Sequence, residues 1–375
     1  MKIVVAIDKF KGSATSAQLA RAIENAIKKE LPLCKVVKVP IADGGDGTML
    51  AIKEILGEKV TVHKVKVHRP LPFLKQLRAQ YLLDEASHTA YMDLATASGL
   101  ALVPPDQRDI MSASTLGTGE MIADAIIKGA RHIVLGLGGS ATCDGGMGLL
   151  SAMGCCFAND NGKAINPCAS SLRFIKMIDT WDMDIFTRDV QFTLLTDVNN
   201  PLLGPNGAAA VFAPQKGATP HQVTLLEQGL RNFSLHMPTD VTQKPGAGAA
   251  GGVAAGMMAF LNATVEPGID WILNMAHFER AIANALLIIT GEGRIDNQTS
   301  RGKAPAGVLR AATLYNIPVI ALCGSIDPQF KPKGLRFSQV ICVTPPDMPL
   351  EKAMDTRTTL ANVRRTIRNL IASWE

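Results

Sequence analysis

Residues suited to phosphate chemistry recur along this chain at the junctions of apolar runs. The segment Gly136-Leu137-Gly138-Gly139-Ser140-Ala141-Thr142-Cys143-Asp144-Gly145-Gly146-Met147-Gly148 places six glycines in thirteen residues. It joins the apolar run Ile133 to Leu135 to an apolar stretch, Met147 to Met153, that reads as a helix. Glycines there let several N–H groups converge, and a helix N-terminus adds positive dipole. Gly138, Gly139, Ser140, Gly145 and Gly146 are therefore the expected phosphate contacts. Pro245 to Gly252 and Gly291 to Gly302 share the same anion-cradling potential. Phosphoryl transfer also needs cations, a carboxylate or two for Mg²⁺, and a carboxylate near the acceptor hydroxyl. Lys9, Lys11, Lys216 and Lys303 supply the cations, and Asp43, Asp46, Asp144, Asp197, Glu292 and Asp296 the carboxylates.

Plainer readings stand beside these. An Asp after a strand commonly caps the following helix, and Asp43 and Asp46 could both cap one beginning near Thr48. The glycines of 246 to 252 serve close helix packing as well as ligand contact. Lys303 could be an exposed first-turn residue. Other chemistries lack their signatures: there is no GxxxxGK[ST], GxSxG, HExxH or kinase catalytic loop. None of the seven histidines stands at metal-ligand spacing with another, and His132 heads a strand.

The elements that position these residues form two groups. Lys2 to Ile7 reads as a strand, Ser16 to Leu31 as a helix, Val36 to Pro40 as a strand and Thr48 to Leu56 as a helix. The alternation resumes with a strand at Ala285 to Thr290 and a helix at Ala304 to Tyr315. Strands at Pro318 to Cys323 and Gln339 to Val343 follow, then a helix at Thr358 to Ile371. Joined, the two ends build a discontinuous, doubly wound, flavodoxin-like parallel sheet from residues 1–60 and 285–375. Residues 61–284 are then an inserted second α/β domain carrying the glycine-rich loop. It opens with hairpin strands at Thr61 to Val67, Leu77 to Leu83 and Thr89 to Asp93. Its other elements are a helix at Leu116 to Lys128, a buried strand at Phe192 to Leu195 and an Ala/Gly/Met helix at Ala249 to Phe260. Ligands bind beyond the carboxyl ends of such strands, so the expected site lies in a cleft between the domains.

Composition narrows the class of partner. With 375 residues, 47% apolar and 19% charged, the chain reads as a soluble two-domain protein. No apolar run approaches the roughly 20 residues of a membrane span, and the first eight residues turn polar too soon for a signal peptide. Seven cysteines without a framework point to a reducing compartment, hence the cytoplasm. The net charge of +5 is mild, and 5% aromatics are too few to stack bases, so nucleic acid is not expected. The bases between Lys59 and Arg78 fit a solvated strand face.

The motifs, in order, resemble the type I glycerate kinase family of bacteria along nearly the whole chain. They run from Ala42-Asp43-Gly44-Gly45-x-Gly47-Thr48 through Ala97-Ser98-Gly99-Leu100 and Gly117-Thr118-Gly119-Glu120 to Gly138-Gly139-Ser140-Ala141-Thr142-x-Asp144-Gly145-Gly146. Asp197-Val198-x-Asn200-Pro201-Leu202, Pro214-Gln215-Lys216-Gly217-Ala218 and Pro245 to Gly252 follow. Thr290-Gly291-Glu292-Gly293 and Gly302-Lys303 close the series. The resemblance implies ATP- and Mg²⁺-dependent phosphorylation of D-glycerate by a flavodoxin-like domain with a second inserted α/β domain. On that reading Lys9, Lys11 or Arg294, aided by Ser13 or Ser98, meets the substrate carboxylate. Asp197 or Asp296 orients the attacking hydroxyl or takes its proton, and Lys216 and Lys303 offset charge. Asp43, Asp46, Asp144 or Glu292 holds the metal. A homodimer is compatible with this reading, and the choice between the 2- and 3-hydroxyl stays open. The family usually reads Asp-Ser-Phe/Tyr-Lys-x-Ser where this chain has Asp8-Lys9-Phe10-Lys11-Gly12-Ser13. Asp46 and Asp93 stand where Glu is common, and Cys143 where Asn is frequent. A kinase for a related small hydroxy acid, or a regulator that binds without turnover, are the alternatives.

Overall fold

Apolar runs from opposite ends of the chain lie side by side: Ile3 sits opposite Leu287, Val4 opposite Ile288 and Val5 opposite Ile289, in parallel. This computed structural model describes residues 1–297, 299, 303–330 and 335–374. The chain divides into two units, Met1–Asp43 with Ile269–Glu375, and Gly44–Gly268.

The first unit holds a parallel sheet ordered Gln339–Cys342, Val319–Ile326, Leu287–Ile295, Lys2–Val5, Lys35–Lys38. Numbered along the unit this is 5-4-3-1-2, the flavodoxin order, whose chain direction reverses between the first and third strands. The runs are continuously apolar because both faces are covered. Ile3, Val5 and Ile7 face Leu19, Ile23, Val363 and Ile367 on one side. Val4, Ala6 and Ile288 face Ile269, Phe278 and Val308 on the other. Helix Ser16–Glu30 starts at a reciprocal capping box between Thr15 and Gln18.

The second unit holds a six-stranded sheet ordered Thr264–Pro267, Gln191–Thr196, His132–Gly136, Thr89–Asp93, Leu77–Asp84, Thr61–Val67. The first four strands run parallel and the last two join as antiparallel hairpins. Helix Ala249–Leu261 is broken at its start, where Ala250, Gly251 and Gly252 have φ of 53°, 71° and 90°. A Cβ on Gly251 would stand 2.1 Å from the Thr142 carbonyl oxygen, and one on Gly256 2.2 Å from that of Gly145. These glycines let the helix press against the glycine-rich loop, the packing alternative for 246 to 252.

The junctions fall at 43/44 and 268/269, where the sequence pattern suggests 60 and 285. The helices on either side explain the difference. Helix Thr48–Leu56 is anchored in the second unit, because Asp93 accepts from the N–H groups of Gly47 (2.9 Å) and Met49 (3.0 Å). Ile269, Phe278 and Ile282, from helices ahead of the third strand, pack into the first unit's core. That strand also runs on to Ile295, past its expected end at Thr290. Arg294 and Ile295 still pair with Ser325 and Ile326, so Gly291 to Ile295 is strand and not an anion-binding loop.

Candidate active site

Three neighbouring strands of the first unit end in carboxylates. Asp8 follows Lys2–Val5, Asp43 follows Lys35–Lys38, and Glu292 lies in the carboxyl half of Leu287–Ile295. This edge is where the strand order reverses, the usual ligand position in such sheets. Glu292 Oε1 accepts from Thr299 Oγ1 at 2.6 Å. Lys303, at the N-cap of helix Ala304–Thr313, sets Nζ 3.5 Å from Glu292 Oε2 and 3.4 Å from Asp296 Oδ1. Asp8 accepts from the Lys9 backbone at 2.8 Å, with Lys9 Nζ at 3.9 Å.

Burial dominates the acid strengths. It lifts Glu292 to about 7 against the attraction of Lys303 and the Thr299 hydrogen bond, with Asp296 and Asp8 adding to the rise. Burial likewise lifts Asp8 to about 6, opposed by Lys9 and reinforced by the charge of Asp43. Burial works against the charge on Lys303, yet Glu292 and Asp296 outweigh it and raise its pKa. A half-titrated carboxyl beside a firmly charged ammonium can accept a proton near neutral pH while the cation offsets the charge formed.

The second unit gathers Lys216 and the glycine-rich loop. Lys216 is 4% exposed and donates to Ser140 Oγ and the Thr142 carbonyl, both at 2.7 Å. Burial lowers its pKa to about 8, with Cys143 and Asp144 opposing. Asp144 is fully buried and accepts from Thr115 N and Oγ1 (2.8 Å each), Gly146 N (3.3 Å) and Gly148 N (3.2 Å). It therefore caps the helix Met147–Ala152 and ties it to Thr115. Gly138 donates to Gly44 and Gly145 to Gly251, so with Gly146 three of the five expected phosphate donors are engaged inside the protein.

The remaining expected residues lie in both units. Ser98 is buried against Thr118 Oγ1 at 2.7 Å. Ser13 bonds Thr359 on the final helix. Arg294 is held by Asp327 at 2.6 Å on the surface. Lys11 and Asp46 are exposed and Asp197 is half-buried. Gly302 lies outside the described residues. Of the residues expected to hold the metal, Asp43 and Glu292 belong to the first unit, Asp46 and Asp144 to the second. Among the described residues no three His, Cys, Asp or Glu side chains form a metal-holding group. The sequence reading assigns Asp8 and Thr299 no role, and Asp8 carries a signal it could have used: a carboxylate directly after a buried first strand.

Lys216 gives a stability test. In the folded protein its proton leaves near pH 8, in the unfolded chain near 10.5. Below pH 8 the buried charge is carried at full cost; between 8 and 10.5 only the unfolded chain binds the proton, so stability rises. Relative to Lys216→Met, the parent should gain up to about 3 kcal/mol across that interval in urea melts. A flat difference would mean that the ammonium is solvated.

Comparison with known proteins follows the same lines. The model of the glycerate kinase family matches residues 3–375. A glycerate kinase of Bacillus cereus is 38% identical, covering 100% of this chain and 98% of its own. A glycerate 2-kinase of Escherichia coli is 40% identical over 87% of this chain and 86% of its own. The solved Salmonella typhimurium LT2 structure assigned as glycerate kinase 2 has a TM-score of 0.83 at 38% identity, covering 100% of this chain and 98% of that one.

Proposed function

The chain belongs to the glycerate kinase family, whose members are phosphotransferases, and on that premise we propose that it transfers the terminal phosphoryl group of ATP to D-glycerate. The observation that carries the reading is the Glu292–Lys303–Asp296 cluster at the reversal point of the first sheet. Glu292, poised near 7, takes the proton of the attacking hydroxyl as the new bond forms. Lys303 offsets the charge on the transferring group, and Asp296 and Thr299 hold Lys303 and Glu292 in place.

Lys9, half-buried beside Asp8 at the carboxyl end of the first strand, meets the substrate carboxylate. The nucleotide phosphates are assigned to Gly139 and Ser140, backed by the Lys216 ammonium. The donor set fits Mg²⁺: carboxylate oxygens, with Asp43 close enough to raise the Asp8 pKa. Mg²⁺ commonly needs only one or two carboxylates besides phosphate and water, so Asp43 would hold it. When bound, it neutralises charge on the phosphate oxygens. The 2-hydroxyl is our choice of acceptor, supported by the relative named a glycerate 2-kinase. No helix among the described residues is long and apolar enough to cross a membrane, and seven unbridged cysteines support a cytoplasmic site of action.

Turnover with ATP, Mg²⁺ and D- or L-glycerate, the product resolved by phosphorus NMR, tests this. 2-Phosphoglycerate from the D-isomer alone is expected. The 3-phosphate would overturn the choice of hydroxyl, and no product from either isomer would overturn the substrate.

A further inference from the structure

Two cysteines stand opposite each other on adjacent strands of the first sheet. Cys323, in Val319–Ile326, is the register partner of Cys342, in Gln339–Cys342. Neighbouring strands lie about 4.8 Å apart, inside the range of roughly 4.4–6.8 Å between the Cα atoms of a disulfide. In-register residues of a parallel pair also send their side chains to the same face. Each thiol donates across to the other's strand, Cys323 to the Ile341 carbonyl at 3.6 Å and Cys342 to that of Gly324 at 3.2 Å, and Cys342 helps burial to raise the Cys323 pKa. Cys323 is buried and Cys342 is exposed, so one sulfur is reachable from solvent and the second waits behind it. Cys342 is also the last residue of its strand, where the backbone has most freedom to adjust. No other two cysteines among the described residues are register partners; the exposed Cys156 stands opposite Asp179.

The pair is coupled to the carboxylate cluster. On its other side Cys323 is the register partner of Glu292. A disulfide brings Cβ atoms to about 3.8 Å, closer than an open strand pair leaves them. Closing the bond therefore pulls the strand that hydrogen-bonds to Glu292's own strand.

We propose that Cys323 and Cys342 form a reversible disulfide that slows turnover by displacing Glu292. The oxidant is a low-molecular-weight disulfide. The Cys342 thiol loses its proton to solvent and its sulfur attacks the oxidant. The oxidant's S–S bond breaks, one half leaves as a thiolate and takes up a proton, and the other half stays on Cys342. Cys323 then loses its proton, attacks the Cys342 sulfur and displaces the second half as a thiol. Two protein S–H bonds are exchanged for one S–S bond, and two electrons pass to the oxidant.

The effect on turnover rests on the kinase reading; the bond itself does not. The full chain is incubated with oxidised glutathione and digested with trypsin without reduction. Cleavage after Lys333 and Arg336 separates the two cysteines into different peptides. A joined Cys323–Cys342 peptide is expected, with turnover lowered several-fold (about 10²-fold as the ceiling for an ångström-scale displacement) and restored by dithiothreitol. Cys342→Ser should give no joined peptide and retain turnover under oxidant, as should Cys342→Ala. Glutathione on Cys342 with Cys323 still a free thiol would overturn the pairing, and a joined peptide at unchanged turnover would overturn the coupling to Glu292. An inactive reduced enzyme that still forms the joined peptide would count against the kinase reading and leave the bond standing.

Discussion

Glu292→Gln is expected to lower turnover by ~10²–10⁴ while making the protein more stable at pH 8. The amide keeps the shape and can still accept from Thr299 Oγ1, but it cannot take a proton. The stability gain follows from the raised pKa. Folded Glu292 titrates near 7, against 4.5 as its ordinary value. The cost of its charge is thus fully present above pH 7, and is relieved as pH falls through 7 towards 4.5. That cost already includes the attraction of Lys303, so a neutral isostere removes up to about 3 kcal/mol of it. At about 2–4 °C per kcal/mol, thermal melting should move upward by several degrees at pH 8 and converge with the parent near pH 5. The acid limb of the parent's pH–rate profile, centred near 7, should vanish with the residue. Turnover within a few-fold of the parent, with that limb intact, would remove Glu292 from the chemistry.

Asp144→Ala tests the opposite assignment, a carboxylate whose work is structural. Its removal strands Thr115 N and Oγ1, Gly146 N and Gly148 N in a fully buried place. Burial raises the Asp144 pKa despite these four donors, so the charge is expensive and its bonds are what hold it. Breaking such a buried set costs about 3–5 kcal/mol, or roughly 6–20 °C in a unit of this size. Calorimetry of the purified variant measures it. An unchanged melting temperature with lost turnover would return Asp144 to the list of ligand-binding groups.

The contrast between these carboxylates shows what the sequence carried. Both follow glycine-rich text, and both read as candidates for the metal. What separates them is their partners: Glu292 has a lysine within ion-pair distance and one hydroxyl, whereas Asp144 is held by four hydrogen-bond donors, with Lys216 near enough only to feel its charge. Neither environment is wholly local in sequence, since Thr115 is 29 residues from Asp144 and Lys303 is 11 from Glu292. The sheet of the first unit was legible because strands covered on both faces read as unbroken apolar runs alternating with capped helices. The extension of the third strand was not, because Gly291 and Gly293 resemble loop residues. Gly291 is glycine because a Cβ would stand 2.0 Å from the Leu322 carbonyl oxygen, a close approach of strands that no periodicity reveals. Likewise the engaged N–H groups of Gly138 and Gly145 need partners, at Gly44 and Gly251, that are distant in the chain. Glycine content alone cannot distinguish a cradle for phosphate from a place where backbones touch.

The pairing of Ile3 with Leu287 also governs how the protein comes off the ribosome. The second unit is one uninterrupted stretch, Gly44–Gly268, and can close as soon as it has emerged. The first unit cannot: its opening strand lacks the neighbour that covers one of its edges until residue 287 has been made. For most of synthesis the segment around Ile3 to Ile7 is an apolar strand with an unpaired edge, the kind of segment that chaperones guard and that aggregates when unguarded. Once released, the chain must still close a loop of more than 280 residues. The unit that carries Glu292 is therefore assembled last, and truncation ahead of residue 287 should leave a folded insert and an unstructured first strand.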